Sequence, residues 1–337
     1  MDFFPKAFKY LNAWLLMGFT LFAAIAAEKL WRTISTAVVK RTGAGNIPIP
    51  RGIRTEFRLS VTLPESATIS MALYSPALAA AAVVTVCASL PFCTFIPIID
   101  NGADIIQTVQ FMILSEVFAL ISLYALHSAE AIEMARIEMR AMLRLFVPLT
   151  ACLASLASYF IKHGLDSDPF SLNSFIMAGH FGSMSAWGVT GVLLFIFIIM
   201  SQIPHRSILM GTSLLLADDL PEYGGAPRAM LQMWSIFRSF IVTSVAVHIV
   251  FPTEFIANAA HTLGISWRVQ ALNFAAFWLS VMFARLIVFP LCGTIVGTVE
   301  ERLPRAVRAL FIPILTIVAM LLLLYEGILL SQEAASF

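Results

Sequence analysis

Eight runs of about twenty or more residues, each nearly free of charge, divide the chain at 8–28, 69–92, 103–126, 141–162, 183–202, 231–251, 270–299 and 308–331. A hydrocarbon core about 30 Å thick takes about 20 helical residues. Only helices and closed barrels satisfy their backbone polar groups in lipid, so the runs predict an all-α integral membrane protein with eight transmembrane helices. Composition agrees: 12% of the 337 residues are charged, 59% are hydrophobic and mean hydropathy is +0.88, where a soluble domain carries roughly 25% charge. No water-soluble catalytic domain fits between the runs, and so apolar a chain is not disordered. Residues 1–9 hold Lys6 and Lys9 but no small-residue cleavage site follows, so the first run is expected to be a retained span. The whole of 1–337 is expected to form a single polytopic domain. It shows no internal repeat of the kind that inverted-repeat transporters carry.

Positive charge orients the spans. Of the 21 Lys and Arg residues, all but Lys6, Lys9, Lys162, Arg268 and Arg285 fall in or beside the connections after spans one, three, five and seven. Those connections are therefore cytoplasmic, and both termini are expected on the non-cytoplasmic side. The cytoplasmic loops are also the long ones. Residues 29–64 mix Arg with Ile, Leu and Phe, and 130–144 reads as an amphipathic helix with Glu130, Glu133 and Arg136 spaced for contact on one face. Such loops look built to dock a partner. A net charge of +1 argues for no nucleic acid.

The four cysteines, Cys87, Cys93, Cys152 and Cys292, lie in or beside apolar runs and never as Cys-x-x-Cys, so neither an iron–sulfur cluster nor a zinc site is expected in this chain. Ionisable residues at membrane depth are costly and mark function first. They are Glu116, Arg144, His180, Arg238, His248, Arg285 and Glu326. Arg144, Arg238 and Glu326 sit near span ends, where snorkelling to the interface is the first expectation. Glu116 and Arg285 lie near mid-span and suggest an interior polar path or a mutual pair, while His248 is a bundle residue or a proton carrier. The loop from Pro204-His205-Arg206 to Asp218-Asp219-Leu220-Pro221-Glu222-Tyr223-Gly224-Gly225 gathers three carboxylates, a tyrosine and a Gly pair. It can bind a quinone head group, relay protons, dock a partner or form a solvated turn.

The order of spans and loop motifs resembles the subunit 1 family of respiratory complex I. It is similar above all to the membrane-anchor subunit of formate hydrogenlyase and other group 4 membrane-bound NiFe hydrogenases. Where that family has Arg-Gly-Pro-Gly and a downstream Arg in its first cytoplasmic loop, this chain has Arg41-Thr42-Gly43-Ala44-Gly45 and Arg51, followed by Ser60-Val61. Ser89-Leu90-Pro91 matches an Ala-Leu-Pro, Gly102-Ala103-Asp104-Ile105-Ile106 a Gly-Asp-Leu-Ile, and Arg140-Ala141-Met142-Leu143 an Arg-Glu-Ala-Met-Leu. Leu220-Pro221-Glu222-Tyr223-Gly224-Gly225 matches Leu-Ser-Glu-Tyr-Ser-Gly, and Glu300 with Pro304-Arg305-Ala306-Val307-Arg308 matches a Glu followed by Ala-Arg-Leu-Arg. The likeness spans essentially the whole chain.

The resemblance implies a non-catalytic heel subunit in a bacterial or archaeal cytoplasmic membrane, with no metal and no cofactor of its own. Hydrophilic redox subunits like the NiFe-hydrogenase large and small subunits would dock on it, next to antiporter-like membrane subunits. Iron–sulfur clusters, and NiFe or quinone, would belong to or lie beside those partners, and proton or sodium translocation would be coupled to their redox step. Docking falls to Arg41, Arg51, Arg54, Arg140, Arg144, Arg206, Glu300, Arg305 and Arg308, and ion coupling or the quinone loop to Asp218, Asp219, Glu222, Tyr223, Glu116, Arg285 and His248. The chain departs from the family where Phe-Asp-Leu and a run of glutamates give way to His205-Arg206-Ser207-Ile208 and Leu209-Met210-Gly211-Thr212-Ser213, and where a membrane glutamate falls near Val147-Pro148. Either Asp218, Asp219, Glu222 and Glu116 substitute for those acids or the subunit is mainly a scaffold. The alternatives are a relative serving ion or bicarbonate-linked transport without redox chemistry, and a stand-alone transporter.

Overall fold

The computed structural model describes residues 53–90, 104–163, 186–202, 223–250, 266–288 and 302–335, with single positions from 18 to 33 and from 291 to 299. Among them the chain is helical and no strand is formed; Thr62 and Gly224 make an isolated antiparallel bridge. A one-turn helix, Ile53–Glu56, precedes α1 (Ile69–Ser89), α2 (Ile105–Tyr124), α3 (Ala129–His163), α4 (Ala186–Gln202), α5 (Ala226–Val250), α6 (Ser266–Phe283) with a π turn at Ala284–Val288, and α7 (Arg305–Ala335). Described residues within 8–28, such as Gly18, Phe22, Ile25 and Ala26, are helical too. Ile69–Ser89, Ile106–Tyr124 and Ala226–Val247 are long and apolar enough to cross a membrane by length and composition.

The chain divides into two compact units: Met1–Ser89, Thr108–Leu143 and Pro204–Val242 make unit one, and Leu90–Gln107, Arg144–Ile203 and Thr243–Phe337 make unit two. In unit one, α1 buries a stripe of small side chains at helical spacing, Ala72, Ser75, Ala79, Ala82 and Val83, and exposes Ile69, Met71, Tyr74 and Leu78. Such a stripe lets backbones approach closely where lipid offers no hydrophobic drive between helices. Helix α2 buries Thr108, Met112, Ser115, Glu116, Ala119 and Leu123 on one face. Helix α5 is enclosed nearly all round, from Ala229 through Trp234 and Phe237 to Val242, and forms the centre of this unit.

The join from α2 to α3 is set by local hydrogen bonds. Leu126 and His127 donate their N–H groups to Leu123 and Tyr124, which tightens the end of α2, and His127 then turns left-handed at φ 54°. Ser128 caps α3 through Oγ, which accepts from Ala131 N–H at 3.2 Å. Across the turn, Thr68 N–H donates to Ala125 O at 2.8 Å and Ser66 Oγ–H to Leu126 O at 3.2 Å. Helix α3 itself differs from the sequence reading. The amphipathic stretch 130–144 and the apolar run 141–162 are one continuous 35-residue helix that carries Pro148 within it. The Glu133–Arg136 pair lies on its exposed face at 3.7 Å.

In unit two, α4 and α7 pack along Gly188, Gly191 and Ile198 on one helix and Glu326, Leu323, Ala319 and Ile312 on the other. The rising numbers of α4 meet falling numbers of α7, so the pair is antiparallel.

Candidate functional site

Ionised side chains enter an apolar helical core only with partners, and unit one contains such a group. Arg238 on α5 is ion-paired through Nε to Glu116 on α2, and its Nη1 donates to Glu138 Oε2 on α3 at 3.3 Å. All three are buried, at 8%, 1% and 2% exposure. One turn before Arg238 on α5, Trp234 lies with its ring 5.2 Å below the guanidinium carbon, a cation–π contact. The Trp234 indole N–H donates to Ser115 Oγ at 3.2 Å, and Ser115 Oγ–H donates to Met112 O at 2.7 Å. The arginine is thus held on three sides by side chains from three helices. Two carboxylates and one guanidinium leave the group one negative charge in excess when all are ionised.

This overturns the snorkelling expectation for Arg238, whose charge is satisfied inside the unit instead of at an interface. Glu326 is corrected in the same way: it is 1% exposed on α7, against Gly188 of α4. A Cβ at position 188 would lie 2.9 Å from its Cγ and Cδ, so Gly188 makes the room this carboxylate occupies. The cation that Glu116 meets is Arg238. Arg285 lies on the π turn and His248 on α5, and their side chains fall outside the described residues.

Of the loop predicted to be acidic, Tyr223 is placed and is buried. Pro76 has no N–H to give to Ala72 O, the carbonyl one turn back in α1, and the Tyr223 hydroxyl donates to that freed carbonyl at 3.2 Å. Burial pushes its phenol above the ordinary range. Arg228 Nη1 donates to Tyr223 O at 3.3 Å. Thr62 and Gly224 exchange backbone hydrogen bonds at 3.4 and 3.2 Å, and Gly225 sits at φ +80°, where a Cβ would come within 2.9 Å of Ser60 O. Gly225 O accepts from Ala229 N–H, which starts α5 ahead of Pro227. Asp218, Asp219, Glu222, Arg206, Arg41, Arg51 and Glu300 lie outside the described residues. So do the side chains of Arg144, Arg305 and Arg308, while Arg54 and Arg140 are exposed.

Sequence reasoning missed Glu138, Glu56, Arg228 and Gln232, all buried in unit one. Glu138 had a signal: it stands seven residues after Ala131 and three after Ala135, on the small-residue face of α3 opposite Glu133. Glu56 had none in the sequence. Both of its carboxylate oxygens are buried without a hydrogen-bond partner. Among the described residues no group of three or more His, Cys, Asp or Glu is placed to hold a metal.

A chain of the membrane-bound sulfane sulfur reductase, an archaeal respiratory membrane complex, has a similar fold: TM-score 0.65 at 15% identity, covering 96% of this chain and 99% of that one. No family model and no curated protein sequence matches the chain.

Proposed function

We propose that this chain is a non-catalytic, membrane-anchoring subunit of a respiratory assembly of the complex I and group 4 hydrogenase kind. It docks a hydrophilic redox arm on the cytoplasmic face and takes part in coupled H⁺ or Na⁺ movement beside antiporter-like subunits. The observation that carries the reading is fold similarity over nearly the full length of both chains to a component of a respiratory membrane complex. The buried Glu116–Arg238–Glu138 group supports the ion-coupling part, since ionisable residues enclosed in a membrane helix bundle are costly and persist for function. On this reading eight spans cross a bacterial or archaeal cytoplasmic membrane with both termini outside. Arg54 and Arg140, exposed in the structure, belong with Arg41, Arg51, Arg144, Arg206, Glu300, Arg305 and Arg308 to the docking face. Rim charges of this kind set orientation and encounter rate more than affinity. Asp218, Asp219 and Glu222 serve ion coupling or the quinone loop, and the iron–sulfur clusters, and NiFe or quinone, lie in or beside the partners.

The second reading, an ion-transport complex without electron transfer, draws on the His205-Arg206-Ser207-Ile208 stretch that stands where acids are expected. One experiment separates the two. The intact complex is drawn from native membranes on this subunit, identified by mass spectrometry and assayed for metal. The leading reading expects hydrogenase-like or quinone-reducing subunits with iron. Antiporter-like partners without iron transfer the chain to the second reading, and a chain that migrates alone in mild detergent removes both.

A further inference from the structure

We propose that Glu116, Glu138 and Arg238 form a one-proton store, in which two carboxylates share one guanidinium and one exchangeable proton. This deepens the ion-coupling part of the proposed function by naming the ion held at this site, and it rests on that part alone.

The argument is charge balance in an enclosed place. Arg238 keeps its proton in proteins, so its single positive charge meets two acids. The charges that act on Glu116 are those of Arg238 and Glu138, and those that act on Arg238 are Glu116 and Glu138. Of the other buried charged side chains of unit one among the described residues, Glu56 and Arg228, the latter donates to Tyr223 O. An uncompensated negative charge at this depth costs several kcal/mol or more, and one further positive charge removes it. A hard metal cation needs a shell of about six oxygens. Here the inner carboxylate oxygens face the guanidinium, Trp234 covers its flank, and Ser115 Oγ is committed to Trp234 and Met112 O. A proton needs one oxygen, and Glu138 Oε1 is buried without a hydrogen-bond partner. On uptake an O–H bond of a hydronium ion breaks as one forms on a carboxylate, leaving water, and Arg238 closes on the other acid. On release that carboxylic O–H breaks, the proton passes to a water molecule, and both acids face the guanidinium. The proton belongs to the pair rather than to either residue.

The test is infrared difference spectroscopy of the purified full chain in phosphatidylcholine vesicles, in H₂O against D₂O, which reads the C=O stretch of a buried carboxylic acid. A Glu56→Gln, Glu326→Gln background removes the two other buried acids among the described residues. The store predicts one D₂O-shifted carboxylic band, and its complete loss in Glu116→Gln and equally in Glu138→Gln, because either change leaves one acid and one arginine in balance. Two independent acids would lose the band in only one of the variants, and that result overturns the store. A band present only after Na⁺ is withdrawn overturns it too, in favour of a sodium site. Absence of any such band from the unsubstituted chain rejects it without a variant. Because the measurement uses the chain alone, its outcome is separate from whether redox partners co-purify.

Discussion

Tyr223 shows how one side chain can answer for a defect introduced by another. Pro76 breaks the hydrogen-bond ladder of α1 at Ala72 O, and the Tyr223 hydroxyl fills the vacancy from a residue 151 positions away. A buried hydrogen bond is worth about 1 kcal/mol net, and a buried group left unsatisfied costs about 1–3 kcal/mol. Tyr223→Phe is therefore expected to destabilise the chain by about 1–2 kcal/mol in a detergent melting experiment. In a Pro76→Ala background the helix supplies its own N–H at position 76, so the same change should cost only a few tenths. Coupling of about 1 kcal/mol across this double-mutant cycle is the expected reading. Additive effects would mean that the phenol acts through something other than the freed carbonyl.

At the scale of the helix pair, α4 and α7 are brought close by glycines whose surroundings differ in stiffness. A Cβ at Gly191 would meet the Leu322 Cβ at 3.2 Å and the Ala319 carbonyl at 3.3 Å, both fixed to the backbone, whereas one at Gly188 meets the Glu326 carboxyl end. Overpacking costs typically about 1–3 kcal/mol. Gly191→Val is expected at or above the top of that range. Gly188→Ala should fall lower, and lower still beside Glu326→Asp, which draws the carboxylate back by one methylene. Equal losses at the two positions in thermal melts would count against this account of the seam. The same scale shows what the sequence could and could not disclose. Apolar length placed helices correctly because every run of that kind must satisfy its backbone internally, and α2, α4 and α7 fall inside or beside the predicted runs. It misjudged Arg238 and Glu326 because position along a helix does not reveal which side of it is enclosed. It missed Glu138 because the charged face of 130–144 draws attention away from the small-residue face that carries a single acid inward. The partners of Arg238 come from α2 and α3, 122 and 100 positions earlier in the chain, and no local pattern encodes that meeting.

For the whole molecule, the proposed topology makes a claim that helix packing constrains. Alternating spans with both termini outside send spans five and eight in opposite directions. Helices α4 and α7, which occupy those two runs, do pack antiparallel, with Gly188 beside Glu326 and Ile198 beside Ile312. On the proposed topology, charge asymmetry sets the absolute direction, because moving the Arg-rich connections across the membrane would cost far more than moving the poorly charged ones. Reporter fusions test this directly. Alkaline phosphatase joined at either terminus or within 164–182 is expected to be active outside the cytoplasm, and a cytoplasmic reporter should be active within 204–222 and near position 303. Substituting Arg136 and Arg140 by Gln lowers the bias of one connection but leaves those after spans one, five and seven basic, so orientation should hold. An active phosphatase within 204–222 would invert the chain, put the docking arginines on the wrong side for a cytoplasmic redox arm, and remove the heel-subunit proposal at the level of geometry.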